Sequence, residues 1–197
     1  MRKQVSYYFL VLVFFAQISC LKAFSAAKVP LNVKVNGSLV ITNAANDTVE
    51  GKNPNIDVNL QVTPDIGAAI VEGEANFRIR TNHNNWRLTA QKTKSVDDMT
   101  GLTDTDIVLN LKTLAGESAN PNSGALLAPF NAETNLSTIP DANSVDVVKG
   151  NAKTSKNKDG LNKNNYFQVN TKYGVYPDFF YSPGTFSTTI TYNLVSP

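Results

Sequence analysis

The chain has 197 residues, of which 42% are hydrophobic and 17% are charged, and its formal net charge is +2. This length fits one domain, or two small ones, with enough apolar surface to form a core without disulfides. The single cysteine and single histidine exclude a disulfide-rich fold and a zinc site built from Cys and His ligands. The 24 Asn and 18 Thr suit turns and exposed strand faces better than helix surfaces.

The first 25 residues have the pattern of a secretory signal peptide. Arg2 and Lys3 precede an apolar run from Tyr7 to Ala16, and small residues follow at Ala23, Ser25, Ala26 and Ala27. This order of basic, apolar and small residues is typical of an export signal. The apolar run is too short to span a bilayer as a helix. We therefore expect residues 1–25 to be removed and residues 26–197 to form one domain that is secreted, periplasmic or at the cell surface.

Removal of the signal peptide changes the charge of the protein. Cleavage after Ser25 takes away Arg2, Lys3 and Lys22, which leaves 15 basic against 16 acidic side chains and a net charge of −1. We do not expect such a domain to bind nucleic acid, because that binding requires a basic surface.

Cys20 leaves two alternatives for the processed N-terminus. Gln17-Ile18-Ser19-Cys20 is similar to the lipobox of bacterial lipoproteins. That similarity implies a lipid anchor on Cys20 and an outer-membrane location. The small residues between Ala23 and Ala27 favour cleavage beyond Cys20, which would discard it. The folded domain contains no cysteine in either case.

Alternation of apolar and polar residues predicts strands in the first part of the mature chain. Leu31, Val33 and Val35 alternate with polar residues. The same pattern recurs further on, at Ile56, Val58, Leu60 and Val62. A period of two is typical of half-buried strands, so we expect two such strands here.

Two more strands are predicted on either side of a polar stretch at residues 82–85. Residues 75–80 and 86–91 both alternate, and Trp86 lies on the apolar face of the second. Asn82-His83-Asn84-Asn85 suits turn geometry, so we expect the two strands to form a hairpin.

The remainder of the chain is predicted to consist of short strands and loops. The expected features are a strand at 107–111, a loop-rich stretch at 115–140, a strand at 144–148, an exposed loop at 151–165, a strand at 166–171 and a closing strand at 186–194. No segment favours helix. The sequence therefore predicts an all-β domain, an antiparallel β-sandwich.

Residues that could catalyse a reaction or bind a metal are few. His83 lies in the predicted turn, where we expect an exposed polar role, because a catalytic histidine needs partners. Oxygen ligands suited to calcium are grouped at Asp97-Asp98, Asp104-Thr105-Asp106 and Asn157-Lys158-Asp159-Gly160. Ordinary turns are the favoured explanation of all three groups. We predict a protein that is not an enzyme and has no cofactor.

Aromatic residues are frequent in the late part of the chain. They are Tyr166, Phe167, Tyr173, Tyr176, Phe179, Phe180 and Tyr181. Core packing is the favoured explanation. The alternative is contact with a ligand, since flat rings with a polar edge suit sugar stacking. The candidate ligand-contact residues are Tyr173, Tyr176, Phe179 and Tyr181.

The last strand resembles the closing strand of bacterial pilin-like and spore-coat-U-like subunits. Residues 183–194 contain a glycine, an aromatic residue two positions later and then alternation, and Gly184 is fourteenth from the C-terminus, as in chaperone-usher pilins. The resemblance implies an immunoglobulin-like sandwich that assembles by strand addition. Leu31, Val33 and Val35 are then candidate strand-donor residues. The alternative, favoured because edge strands are common, is that they form the first strand of their own sandwich.

Three classes of function remain. The first is an exported structural or adhesive subunit of the cell surface, with other protein subunits, including copies of itself, as partners. The second is a secreted carbohydrate-binding module that contacts surface glycans through the late aromatic residues. The third is a hydrolase with two carboxylates, although no pair stands out in the sequence.

Overall fold

The computed structural model describes residues 31–115, 118–158 and 165–197. The predicted signal peptide, residues 1–25, and the candidate lipidation site Cys20 lie outside the described residues. The chain divides into two units, residues 1–35 and residues 36–197. In the first unit, the described residues 31–35 belong to no strand or helix, and their side chains are exposed.

In its described residues, the second unit consists of short strands, two 3-10 helices and loops, with no α-helix. The strands are β1 Leu39–Asn43, β2 Val71–Thr81, β3 Trp86–Lys92, β4 Val96–Asp98, β5 Val108–Thr113, β6 Gly124–Leu126, β7 Thr134–Asn135, β8 Val145–Gly150, β9 Phe167–Val175, β10 Thr185–Ser187 and β11 Ile190–Val195. The 3-10 helices are Pro121–Ser123 and Leu136–Thr138. The prediction of an all-β protein is confirmed.

The strands form two main antiparallel sheets. Sheet A has the order β1-β2-β9-β5-β7, sheet B has the order β11-β3-β8-β6, and β4 pairs with β10 in a separate ribbon. Buried residues of both sheets belong to one hydrophobic cluster. The ring centroids of Phe77 in β2 and Tyr192 in β11 are 5.0 Å apart. The two sheets share a core, which is the arrangement expected of a β-sandwich.

Trp86 is buried in this core, on the apolar face of β3 as predicted. Its ring centroid is 5.4 Å from that of Phe167 in β9, and its indole Nε1 donates a hydrogen bond to the carbonyl of Ala152 at 2.8 Å. Gly150 pairs with Trp86 across β3 and β8, and a Cβ at Gly150 would collide with the indole ring. The glycine thus makes room for a large side chain that joins the two sheets.

The predicted hairpin is wrong, although its turn is correctly placed. β2 ends at Thr81 and β3 begins at Trp86, but β2 pairs with β1 and β9, whereas β3 pairs with β11 and β8. Residues 82–85 therefore connect sheet A to sheet B. The end of β2 is held by Thr154, whose Oγ1 accepts from the Thr81 N–H at 3.0 Å and whose own N–H donates to the Thr81 carbonyl at 3.1 Å.

Both strands predicted before residue 70 are also corrected. Residues 31–38 belong to no strand, and the first strand begins at Leu39. Residues 54–65 belong to no strand either, yet their burial alternates as predicted. Apolar side chains from Ile56 to Val62 are half-buried, while the polar ones between them are exposed. The alternation of residues 56–62 therefore predicted the buried face correctly, but it did not reveal that this segment pairs with no strand.

The stretch 115–140 contributes more to the core than a loop-rich segment was expected to. Phe130, Leu136 and Ile139 are completely buried, and β6 and β7 also lie in this stretch. Their apolar residues follow no period, so periodicity could not reveal them. The strands predicted at 107–111, 144–148, 166–171 and 186–194 are confirmed in β5, β8, β9 and the pair β10 and β11.

Candidate functional site

The candidate donor residues are a group of exposed aliphatic side chains at the start of the described residues. Leu31 is 85% exposed, Val33 77% and Val35 79%. The sequence Leu31-Asn32-Val33-Lys34-Val35 keeps its period of two. Aliphatic side chains at this spacing would all lie on one face if the segment were added to a sheet as a strand.

Residues 54–62, which we call the strap, pack on the inner face of sheet A. Gly73 of β2 pairs with the buried Tyr173 of β9. A Cβ built on Gly73 would lie 2.5 Å from Cγ1 of Val58 and 2.8 Å from Cδ2 of Leu60. The bare glycine therefore allows the strap to approach the sheet closely.

The strap is attached to the fold mainly through its apolar side chains. Ile56, Val58, Leu60 and Val62 all contact the hydrophobic core. Within the described residues, no backbone–backbone hydrogen bond involves residues 54–64. The strap thus covers part of the core without belonging to either sheet.

Strand β11 is the longest of the edge strands in the described part of the chain. It has six residues, whereas the other edge strands of the two main sheets, β1, β6 and β7, have five, three and two, and β4 and β10 of the ribbon have three each. Its inward residues Ile190, Tyr192 and Leu194 pack against the core but are only half-buried. A long edge strand with a partly covered apolar face is suited to pairing with a further strand.

The structure divides the candidate ligand-contact aromatic residues into a buried and an exposed group. Tyr173 is only 9% exposed and its hydroxyl is 3.1 Å from that of Tyr192. Burial, followed by the neighbouring Tyr192 hydroxyl, raises the pKa of Tyr173 well above its usual value. Tyr173 is therefore a core residue, as the favoured explanation predicted.

The other aromatic residues lie in residues 176–184, which we call the aromatic loop. Tyr176 is 58% exposed, Phe179 71% and Phe180 82%. Tyr181 is half-buried, and burial together with the nearby Asp106 carboxylate raises its pKa. Exposed aromatic rings of this kind are available to a ligand.

Gly184, the residue that carries the pilin-like resemblance, has a structural explanation. The ribbon of β4 and β10 brings the carbonyl oxygen of Asp98 against Gly184, and a Cβ at that position would collide with it. The N–H of Ser182 donates to the Thr100 carbonyl at 3.0 Å in the same region. Glycine is thus required by a close approach of two backbones.

Acidic residues of the first two groups considered as calcium ligands are engaged by other protein groups, whereas Asp159 and Gly160 of the third group lie outside the described residues. Asp97 accepts hydrogen bonds from the hydroxyl and N–H of Thr100 and from the N–H of Gly101. Asp104 forms a 2.8 Å ion pair with Lys92. Asp106 accepts from Thr103. Among the described residues, no group of three or more His, Cys, Asp or Glu side chains is placed to hold a metal ion.

His83 differs from the exposed turn residue that was predicted. It is half-buried, and its Nδ1 lies 3.0 Å from the hydroxyl of Ser196 near the C-terminus. The imidazole also lies against Gly37. His83 therefore joins three distant parts of the chain at the end of the sandwich.

Sequence reasoning missed a charged cluster on the outer face of sheet A. Asp47 accepts from Arg78 at 2.9 Å and from both terminal nitrogens of Arg80 at 2.6 Å. The Arg78 guanidinium carbon is 4.2 Å from the ring centroid of Tyr166, a cation–π distance. Alternation places both arginines on the polar face of β2, but nothing in the sequence indicates that Asp47 is their partner.

No known family model and no curated protein sequence matches this chain. In the described part of the chain, no helix is both long and apolar enough to cross a membrane.

Proposed function

We propose that this chain is an exported, non-enzymatic subunit with a structural or adhesive role at a cell surface, and that it assembles with other subunits by strand addition. Its support is the export-signal pattern in the sequence of residues 1–25 and the two antiparallel sheets that share a core, to which we assign an immunoglobulin-like organisation. Copies of the same chain are the simplest partners.

The observation that carries the proposal is the exposure of Leu31, Val33 and Val35. Large exposed apolar groups at regular spacing are unusual in a monomer and are typical of an interaction site. Their period of two suits a strand that buries one face and keeps Asn32 and Lys34 in solvent. This segment is therefore assigned the role of donor.

Among the described residues, β11 pairs with β3 on one side only, and its other edge supports the presence of an acceptor in the same chain. Sheet edges expose unpaired N–H and C=O groups that attract another strand, and most natural edges are short or otherwise protected. The β11 strand is longer than the other edge strands of the described residues, so its edge is the least protected by shortness. Its half-buried inward residues would also become more buried if a strand were added.

The proposal is tested by changing the two faces of the donor segment separately. Val33→Asn with Val35→Asn removes two apolar anchors. We expect subunit association to weaken at least about a hundredfold, because each buried valine contributes roughly 1.5–3 kcal/mol. Sedimentation velocity over a concentration series measures the change.

The matched control changes the polar face, with Asn32→Gln and Lys34→Gln. Each exposed substitution of this kind alters the free energy by about 0.5 kcal/mol at most, so the association constant should stay within about fivefold. Equal multimers from both variants, or an unmodified protein that stays monomeric at all concentrations, would contradict the proposal.

A carbohydrate-binding module is the alternative favoured by the aromatic loop. Tyr176, Phe179 and Phe180 present exposed rings, and stacking on sugar faces is a common use of such rings. A sugar binder should remain monomeric, show a change in tyrosine fluorescence with glycans, and lose that change in Tyr176→Ala with Phe179→Ala.

A further inference from the structure

A cavity lies at the end of sheet B where β3 begins and β8 ends. Its volume is about 270 Å³, and it is lined by Asn85, Trp86, Arg87, Lys149, Gly150 and Pro197. Pockets for drug-sized ligands usually have volumes of roughly 300–1,000 Å³. This cavity is therefore suited to a small ligand or to one residue of a polymer.

Two basic side chains of the cavity lie on directly opposed residues. Arg87 in β3 pairs with Lys149 in β8, and both side chains are exposed. Like charges at such a cross-strand pair destabilise a sheet. Asp146 offsets part of this repulsion through a 2.8 Å ion pair with Arg87, but that pair is exposed and therefore weak. An anion in the cavity would be attracted by both cations.

Further lysines follow in the loop that leaves the cavity. The loop is attached beside the cavity, because the indole Nε1 of Trp86 donates to the Ala152 carbonyl. Residues 147–158 include no acidic residue, although the formal net charge of the whole chain is only +2. The exposed basic residues of this part of the chain, which we call the basic end, are Arg87, Lys149, Lys153, Lys156 and Lys158.

We propose that the cavity binds an acidic sugar residue of a surface polysaccharide, with the sugar carboxylate between Arg87 and Lys149. The proposal deepens the adhesive role given above and rests on the surface location in the proposed function. Guanidinium and ammonium groups make charge-assisted hydrogen bonds to a carboxylate. The amide of Asn85 offers a donor and an acceptor to sugar hydroxyl groups.

The loop lysines favour a polymer over a single small anion. Lys153 and Lys158 lie beyond the cavity in the same loop, where they can attract the neighbouring acidic residues of a polysaccharide. A free phosphate ion in the cavity would not reach them. The basic end therefore suits a ligand whose negative charges repeat along its length.

The basic end is distinct from the aromatic loop. Thr154 in the basic loop bonds to Thr81 at the end of β2. Val71, at the start of β2, pairs with Val175, which precedes the aromatic loop. The length of β2, roughly 30 Å, separates the two regions. Tyr176→Ala with Phe179→Ala should therefore leave binding at the basic end unchanged.

Calorimetric titration of the exported protein with trigalacturonate tests the proposal. We expect Arg87→Gln with Lys149→Gln to weaken binding at least about tenfold, because two charge-assisted contacts are lost. The fully methyl-esterified trisaccharide keeps the sugar rings without their charge, so it should lose affinity to a similar extent on the unmodified protein. Equal binding of the charged and the esterified trisaccharide would overturn the proposal.

The matched control is Lys94→Gln with Lys112→Gln, which makes the same change in net charge. Lys94 lies beyond the far end of β3, and Lys112 lies in β5 of sheet A. Because screening at physiological salt acts over about 8 Å, affinity should stay within about twofold. An equal loss in both double variants would show unspecific attraction and contradict the assigned site.

Stability separates binding from a structural role. Lys149→Gln alone removes the like-charge pair, so urea unfolding should show unchanged or higher stability while trigalacturonate binding falls. A loss of stability that accompanies the loss of binding would assign Lys149 a structural role and overturn the proposal.

The remaining outcomes identify other ligands or separate the two proposals. Inorganic phosphate that binds as tightly as trigalacturonate, or binding only to phosphatidylglycerol vesicles, would contradict an acidic-sugar site. If the protein assembles but Arg87→Gln with Lys149→Gln binds trigalacturonate normally, this proposal fails and the proposed function stands. If the protein stays monomeric and that variant loses binding, assembly by strand addition fails while the acidic-sugar site stands.

Discussion

The Asp47 carboxylate shows how one residue binds a loop to a sheet. Burial raises its pKa, but hydrogen bonds from Arg80, Thr42 and Arg78 outweigh that effect and lower the pKa from 3.8 to about 2. The folded protein therefore holds this carboxylate ionised at a pH where the unfolded chain would protonate it. The contribution of this ionised carboxylate to the free energy of unfolding is fully present above about pH 4, and it is lost as the pH falls toward 2.

Replacing Asp47 by Asn should remove this pH-dependent contribution. We expect the free energy of unfolding at pH 7 to fall by about 2 kcal/mol, because two arginines lose a charged partner. The difference from the unmodified protein should shrink between pH 4 and pH 2. Urea unfolding at several pH values measures this.

The control is Asp146→Asn, which breaks the exposed ion pair with Arg87 and should change stability by less than about 1 kcal/mol. Parallel pH curves for Asp47→Asn and the unmodified protein would contradict the assignment.

At the scale of elements, the segment between β5 and β8 is as much a part of the core as the strands are. It includes the short strands β6 and β7 and the completely buried Phe130, Leu136 and Ile139. The aromatic loop is the opposite case, since its large side chains are mostly exposed. Irregular backbone is therefore compatible with either a structural or a binding role.

Phe130→Ala and Phe180→Ala make the same chemical change in these two settings. We expect Phe130→Ala to lower the free energy of unfolding by about 3–5 kcal/mol, because it leaves a cavity in the core. Phe180→Ala should change it by no more than about 0.5 kcal/mol. Equal effects in chemical denaturation would show that residues 115–140 are not part of the core.

At the scale of the whole molecule, the described part of residues 36–197 is held together by contacts between the sheets. Trp86 of sheet B packs on Phe167 of sheet A, and Tyr192 of sheet B packs on Phe77 of sheet A. Neither sheet can bury its apolar face alone. If one sheet unfolds, the apolar face of the other is therefore exposed to water.

The two sheets should therefore unfold in a single transition. Fluorescence of Trp86, the single tryptophan, reports the interface, while far-ultraviolet circular dichroism reports the strands. We expect the same midpoint from both probes in urea, as for a two-state domain. A fluorescence change that precedes the loss of strand signal would show that the sheets separate first.

The sequence by itself determined the all-β class and the buried face of most strands, including the positions of Trp86 and the apolar residues of the strap. These properties are local, because the alternation of side chains records which face meets water. Only the tertiary structure decided which strands pair, and it separated β2 and β3 into different sheets. It also buried Tyr173 while leaving Phe179 exposed, and placed Asp47 between two arginines. Those outcomes depend on contacts between residues far apart in the chain, which no local pattern encodes.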